Sequence, residues 1–184
     1  EARALLGKTT DAAVVGTDLS PAEKLAIAEN IDSVADDGIE NLIIFTGDAA
    51  STIASLLTKA VDADVDATAT DTNGDGALDD NTGTMSTAQL SVLAANEAKI
   101  ADAGITNLTV TSEQTAAEIT ALLGKANVAT STVDLTDMTA EQITAVEGAI
   151  DNVGTLSGET TATVLQQLDT ADTELLDATG VTKI

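Results

Sequence analysis

Gly38-Ile39-Glu40-Asn41-Leu42 and Gly104-Ile105-Thr106-Asn107-Leu108 stand 66 residues apart, and each follows an Ala-Asp pair, Ala35-Asp36 and Ala101-Asp102. The match runs on without a gap. Ile53, Leu56, Leu57, Lys59 and Ala60 answer to Ile119, Leu122, Leu123, Lys125 and Ala126, and upstream Ser20 answers to Ser86. An offset held from Ser20 to about Thr70 is an internal repeat, and it governs how the rest of the chain is read. A third copy starts at Met138-Thr139-Ala140-Glu141-Gln142, which echoes Met85-Ser86-Thr87-Ala88-Gln89. A truncated copy sits at Ala4-Leu5-Leu6-Gly7-Lys8. Lys8 and Lys59 are only about 51 residues apart, and the shortfall of about 15 locates one insertion between Asp71 and Met85. The chain is therefore expected to be one repeat domain, 1–184. It divides into a partial repeat 1–18, repeat A 19–70, an insertion 71–85, repeat B 86–137 and a divergent repeat C 138–184.

Each long repeat splits into halves of about 25 residues that read strand, then helix. The strands are short β-rich runs at Val14 to Thr17, Leu42 to Phe45, Val65 to Thr68, Leu108 to Thr111, Thr132 to Leu135 and near Leu156. Helix starts follow. Ser20-Pro21-Ala22-Glu23 is a capping box with Pro at the first helical position, and Ser86 with Gln89 and Thr139 with Gln142 repeat the device. Leu25, Ile27, Ile31 and Val34 are expected to form the apolar side of the first full helix. Gly38, Gly104, Gly154 and Gly180 are expected at helix C-termini with positive φ. Connections too long for hairpins imply parallel strands joined by right-handed crossovers. The fold class is α/β, either a repeat solenoid of strand–helix coils with a parallel sheet or a compact doubly wound α/β sheet. The near-equal half-repeats favour the solenoid, with the strands from Leu42, Val65, Leu108 and Val133 adjacent in one sheet. Asn41 and Asn107 resemble the corner asparagine of leucine-rich repeats, whose stacked amides satisfy turn backbone.

Composition narrows the chemistry. Hydrophobic residues make up 43% of the chain, enough for a core, but Phe45 is the only aromatic. There is no His and no Cys, and Arg3 is the only arginine. Triads, zinc sites and imidazole acid–base chemistry lose their usual residues, so no enzymatic activity is expected. A two-carboxylate glycosidase normally holds its sugar on aromatic platforms, which this chain lacks. A net charge of -24 repels phosphate backbones and anionic membranes, so neither nucleic acid nor membrane insertion is expected. No apolar run approaches the ~20 residues that span a bilayer. Such self-repulsion is relieved by salt or bound cations, which points to a secreted or cell-surface setting.

Asp71-Thr72-Asn73-Gly74-Asp75-Gly76-Ala77-Leu78-Asp79-Asp80 is the one segment with site chemistry. Oxygen ligands at positions one, three and five with Gly at six suit a chain wrapped around Ca2+. The ligands would be Asp71, Asn73, Asp75, the Ala77 carbonyl and Asp79, with Asp80 as a further carboxylate. The block resembles the calcium loops of EF-hands, dockerins and thrombospondin type 3 repeats. It departs from the EF-hand at position twelve, where Thr82 replaces the bidentate Glu. A second cation site at Asp62, Asp64 and Asp66, which alternate along a strand, competes with a solvated acidic face.

The Thr-, Ala- and Asp-rich repeats resemble repetitive calcium-binding bacterial surface proteins of the S-layer, adhesin and giant exoprotein type, in the style of marine cyanobacteria. The RTX nonapeptide is absent. The resemblance implies an extracellular structural protein that forms or supports a surface layer, fibre or adhesive stalk. A ligand-recognition module for carbohydrate or protein is the alternative. The chain opens at Glu1 in mid-pattern, as a fragment or processed product would. The Ala4-Leu5-Leu6 helix and the strand-like Gly180–Ile184 are unlike ends, and self-association, head to tail or in a lattice, is expected from them.

Overall fold

A computed structural model of the chain describes residues 11–17, 19–68, 83–171 and 182–183. Strand and helix alternate. After β1 (Ala12–Val15) and α1 (Pro21–Ala28) come β2 (Val34–Glu40), β3 (Leu42–Phe45) and α2 (Ala50–Leu57). Then follow β4 (Ala63–Asp66), α3 (Thr87–Ala95), β5 (Ile100–Thr106), β6 (Thr109–Val110) and α4 (Ala116–Leu123). The described chain closes with β7 (Thr132–Asp134), α5 (Ala140–Gly148), β8 (Thr155–Ser157), β9 (Glu159–Thr160), α6 (Ala162–Ala171) and β10 (Thr182–Lys183).

Every described strand pairing is parallel: β1 with β2, β3 with β4 and β4 with β5, β6 with β7 and β7 with β8, and β9 with β10. The described strands close no barrel. Each helix from α1 to α5 packs on the next in chain order. Thr109, Thr132 and Thr155 are successive register partners, as are Val133 and Leu156. One apolar cluster runs the length of the described chain, from Ile27 through Leu56, Leu93 and Leu122 to Val146 and Leu168. The fold is α/β with parallel sheets, as the half-repeat rhythm predicts.

Three expectations need correction. The strands at Leu42, Val65, Leu108 and Val133 do not share one sheet. Leu42–Phe45 and Ala63–Asp66 lie in the sheet β3-β4-β5, whereas Thr109–Val110 and Thr132–Asp134 lie in β6-β7-β8. The cause is β5, which pairs with β4 through Val65↔Ile105. Asn107 then turns the chain at φ 54, so that β6 opens a new sheet, as Asn41 at φ 53 turns β2 into β3. These asparagines hold the left-handed conformation that few side chains tolerate. They form no ladder: Asn107 Nδ2 donates instead to Asp66 Oδ1 at 3.0 Å.

The glycines are also reassigned. Gly38 and Gly104 lie inside β2 and β5, and the positive φ falls one residue earlier, at Asp37 and Ala103. Glycine is required there by close approach. A Cβ at Gly38 would stand 2.7 Å from the Ala35 carbonyl oxygen and 2.9 Å from that of Ala12. Gly154 likewise has no room, and Gly180 lies outside the described residues. The third correction is α1, which ends at Ala28: Ile31 sits in a 3-10 turn and Val34 begins β2. Leu25 is 49% exposed, while Lys24 is fully buried beside Ile27.

Polar contacts join segments distant in the chain. Lys59 reaches Asp36 at 2.5 Å and Lys125 reaches Asp102 at 2.7 Å, the same pair one repeat apart. Lys99 holds Asp37 at 2.8 Å and the Ala60 carbonyl at 2.9 Å. The lysines hold the carboxyls of Asp36 and Asp102 below the usual aspartate value. These pairs stand at the surface and are screened by salt.

Candidate functional site

Asp71, Asn73, Asp75, Ala77, Asp79 and Asp80 lie outside the described residues. The two flanks of the insertion are described, and they are clamped together. Gly83 N–H donates to the Thr68 carbonyl at 2.8 Å, and Met85 N–H to that of Ala67 at 3.2 Å. Asp66 Oδ1 accepts from Thr68 N–H at 3.1 Å and from its hydroxyl at 3.2 Å, which fixes the exit from β4. The insertion thus leaves after a strand and returns directly into Ser86, whose hydroxyl and Gln89 close the capping box of α3.

Asp62 and Asp64 are exposed, and Asp66 is engaged with Thr68 and Asn107. Among the described residues, no three acidic side chains gather as a metal site would require. Asp62 and Asp64 stand on a solvated surface, and Asp66 has a structural role.

Beside the returning flank opens a groove of about 350 Å³, at the C-terminal ends of β6 and β7. Met85 and Leu90, both buried, line it together with Thr109 and Thr111. Glu113, Asp134 and Asp137 bring carboxylates to it. Thr87 Oγ1 donates to Glu113 Oε2 at 2.5 Å, and Asp134 Oδ1 accepts from Thr136 N–H at 3.0 Å. Gln114 also lines the groove although its exposure is only 2%. Its Oε1 accepts from Thr111 N–H at 2.8 Å and from the Thr111 hydroxyl at 3.3 Å. Its Nε2 donates to no described residue.

The same place in repeat A is filled. Phe45 stands where repeat B has Thr111, Lys24 where it has Leu90, and Asp48 where it has Gln114. Lys24 Nζ lies 2.6 Å from Asp48 Oδ2 and 3.5 Å from the centroid of the Phe45 ring. Asp48 Oδ2 also accepts from Phe45 N–H at 3.1 Å, so the carboxylate caps the turn as the Gln114 amide oxygen does. None of these residues was singled out from the sequence as a site. The signal lay in the repeat itself, since three positions that touch in space change together at the 66-residue offset.

The helix starts carry the remaining electrostatics. The Ser91 hydroxyl on α3, then the Thr115 amide and hydroxyl, hold the Glu118 carboxyl below the usual glutamate value, and Ser20 does the same for Glu23. A depressed carboxyl contributes stability above its unfolded pKa and loses it as pH falls through the folded one. The stability of the parent relative to Glu118→Gln is therefore expected to decline as pH drops below the ordinary value of 4.5, read as the difference in Tm across a pH series.

No protein-family model matches the chain, and no curated protein is significantly similar to it. No described helix is long and apolar enough to cross a membrane.

Proposed function

We propose that this chain is a non-enzymatic, calcium-stabilised structural segment of an extracellular layer, fibre or adhesive stalk. In this reading its strand–helix coils stack as an α/β solenoid. The carrying observation is order: strands pair and helices pack with their neighbours in chain sequence over one continuous apolar cluster. A stack of this kind is stable through nearest-neighbour interfaces and extends by adding coils, which suits a load-bearing or space-filling part. The lack of His and Cys and the net charge of -24 fit a passive acidic part that works among cations.

In this reading calcium binds in the insertion 71–85, and the Gly83 N–H bond to the Thr68 carbonyl brings the described residues on either side of the candidate ligands together. Calcium takes roughly six to eight oxygens, and Asp71, Asn73, Asp75, the Ala77 carbonyl, Asp79 and Asp80 would supply most of them. Calorimetric titration should show binding in the parent that Asp75→Ala abolishes or weakens strongly. An unchanged isotherm would show that Asp75 is no ligand. Binding to the folded chain alone also raises stability with calcium concentration, so chelation should lower Tm in the parent and leave Asp75→Ala unmoved.

Self-association, head to tail or in a lattice, is part of the proposal, because calcium lowers repulsion between acidic copies. The functional test is immunolabelling of intact cells that make the protein. Surface label that calcium chelation strips away is expected; label seen only after permeabilisation overturns the reading.

A further inference from the structure

We infer that the groove of repeat B is a binding site for a neutral, hydroxyl-rich ligand, namely a sugar unit of a polysaccharide. The inference rests on the groove alone and survives failure of the structural reading above. Its first ground is the internal comparison. Repeat A closes this place with the Phe45 ring and the Lys24 stem, both buried, whereas repeat B carries Thr111 and Leu90 and leaves about 350 Å³ open. A small-molecule site falls at roughly 300–1,000 Å³.

The second ground is Gln114. Its oxygen is held by Thr111, which fixes which end of the amide faces the groove, and its Nε2 donates to no described residue and is not sealed from solvent. An N–H that opens to the groove while its oxygen is pinned is a fixed donor, and a ligand oxygen can take the place of water there. The groove also offers acceptors, chiefly the carboxylates of Glu113 and Asp137, and Glu113 is steadied by Thr87. One donor beside carboxylates matches a hydroxyl pair, since a hydroxyl accepts and donates at once. The groove holds no aromatic platform, and Leu90 and Met85 supply its apolar wall for the C–H face of a sugar ring instead. The carboxylates repel an anion. A metal ion is disfavoured by the inward N–H and by acids that do not converge.

The test follows the Gln114 side-chain amide resonances of the full chain by NMR, with calcium present throughout. Glucose, galactose, mannose and N-acetylglucosamine are titrated separately, with inorganic phosphate and tetramethylammonium as charged probes. Saturable shifts with at least one sugar and with neither charged probe are expected. Gln114→Glu keeps the acceptor for Thr111 but removes the donor, and should weaken sugar binding by about fivefold to tenfold. Thr111→Phe with Glu113→Gly restores the repeat A filling, because Gly47 leaves room for Phe45, and should abolish binding. If that variant does not fold, Gln114→Glu decides alone. Shifts with no sugar, shifts with tetramethylammonium or phosphate, or undiminished binding by Gln114→Glu would each overturn the assignment.

Discussion

Lys24→Leu alone is expected to destabilise the protein by about 3–5 kcal/mol and Asp48→Gln alone by a similar amount, while the two together recover most of the loss. The pair is sealed: its side chains are 1% and 0% exposed, with 2.6 Å between Nζ and Oδ2. Removing either member leaves a charge inside the protein without the ion that compensated it, and this is where the large cost arises. Removing both replaces the pair with the residues that repeat B already uses at the same place, Leu90 and Gln114. The turn keeps its cap, since Gln114 Oε1 accepts from Thr111 N–H as Asp48 accepts from Phe45 N–H. Two terms limit the recovery. The contact of Lys24 with the Phe45 ring is lost, and Gln is one methylene longer than Asp in a filled site, worth about 1–3 kcal/mol if the surroundings do not yield. Urea denaturation of the parent, both single variants and the double variant gives the coupling directly. Simple additivity would show that the two side chains do not act as a pair.

Much of the fold was legible because its signals are local. Leu42–Phe45 is an uninterrupted apolar run, and it forms β3 with the same ends. Ser20 with Glu23, Ser86 with Gln89 and Thr139 with Gln142 all close the capping boxes read from the sequence. Strands β2 and β5 were missed because Ala35-Asp36-Asp37-Gly38 and Ala101-Asp102-Ala103-Gly104 carry helix-end residues. Their extended shape is set by parallel partners far away in sequence, Val34 against Ala12 and Ile100 against Ala63. The inward turn of Lys24 was illegible for the same reason. Its partner Asp48 lies 24 residues downstream, and periodicity alone assigns a lysine to solvent. The candidate calcium loop is the opposite case, a spacing pattern within ten residues that needs no tertiary information to be read.

Gln142→Glu should cost about 2–4 kcal/mol at neutral pH, although it preserves a good capping residue. Gln142 faces two ways. Its Oε1 accepts from Thr139 N–H at 2.7 Å and closes the cap of α5. Its Nε2 donates to the carbonyls of Ser112 at 2.9 Å and Gln114 at 2.6 Å, just before α4, in a setting only 7% exposed. Glutamate would keep the first role and reverse the second, setting a buried anionic oxygen against two carbonyl oxygens. Gln89 makes the equivalent bonds to Thr46 and Asp48 carbonyls at 3.1 and 2.7 Å, so Gln89→Glu should behave alike. Glu118, at the same helical position in α4, receives the Ser91 hydroxyl instead, which is why a carboxylate is tolerated there. The sign of the pH effect separates this account from general loss of packing. Burial and the facing carbonyls would raise the new carboxyl above its unfolded value. The destabilisation is then complete above the raised pKa and fades as protonation supplies a donor. The Tm of Gln142→Glu should approach that of the parent on acidification, and a gap that widens instead would rule out the bridging role of Gln142 between α5 and the segment before α4.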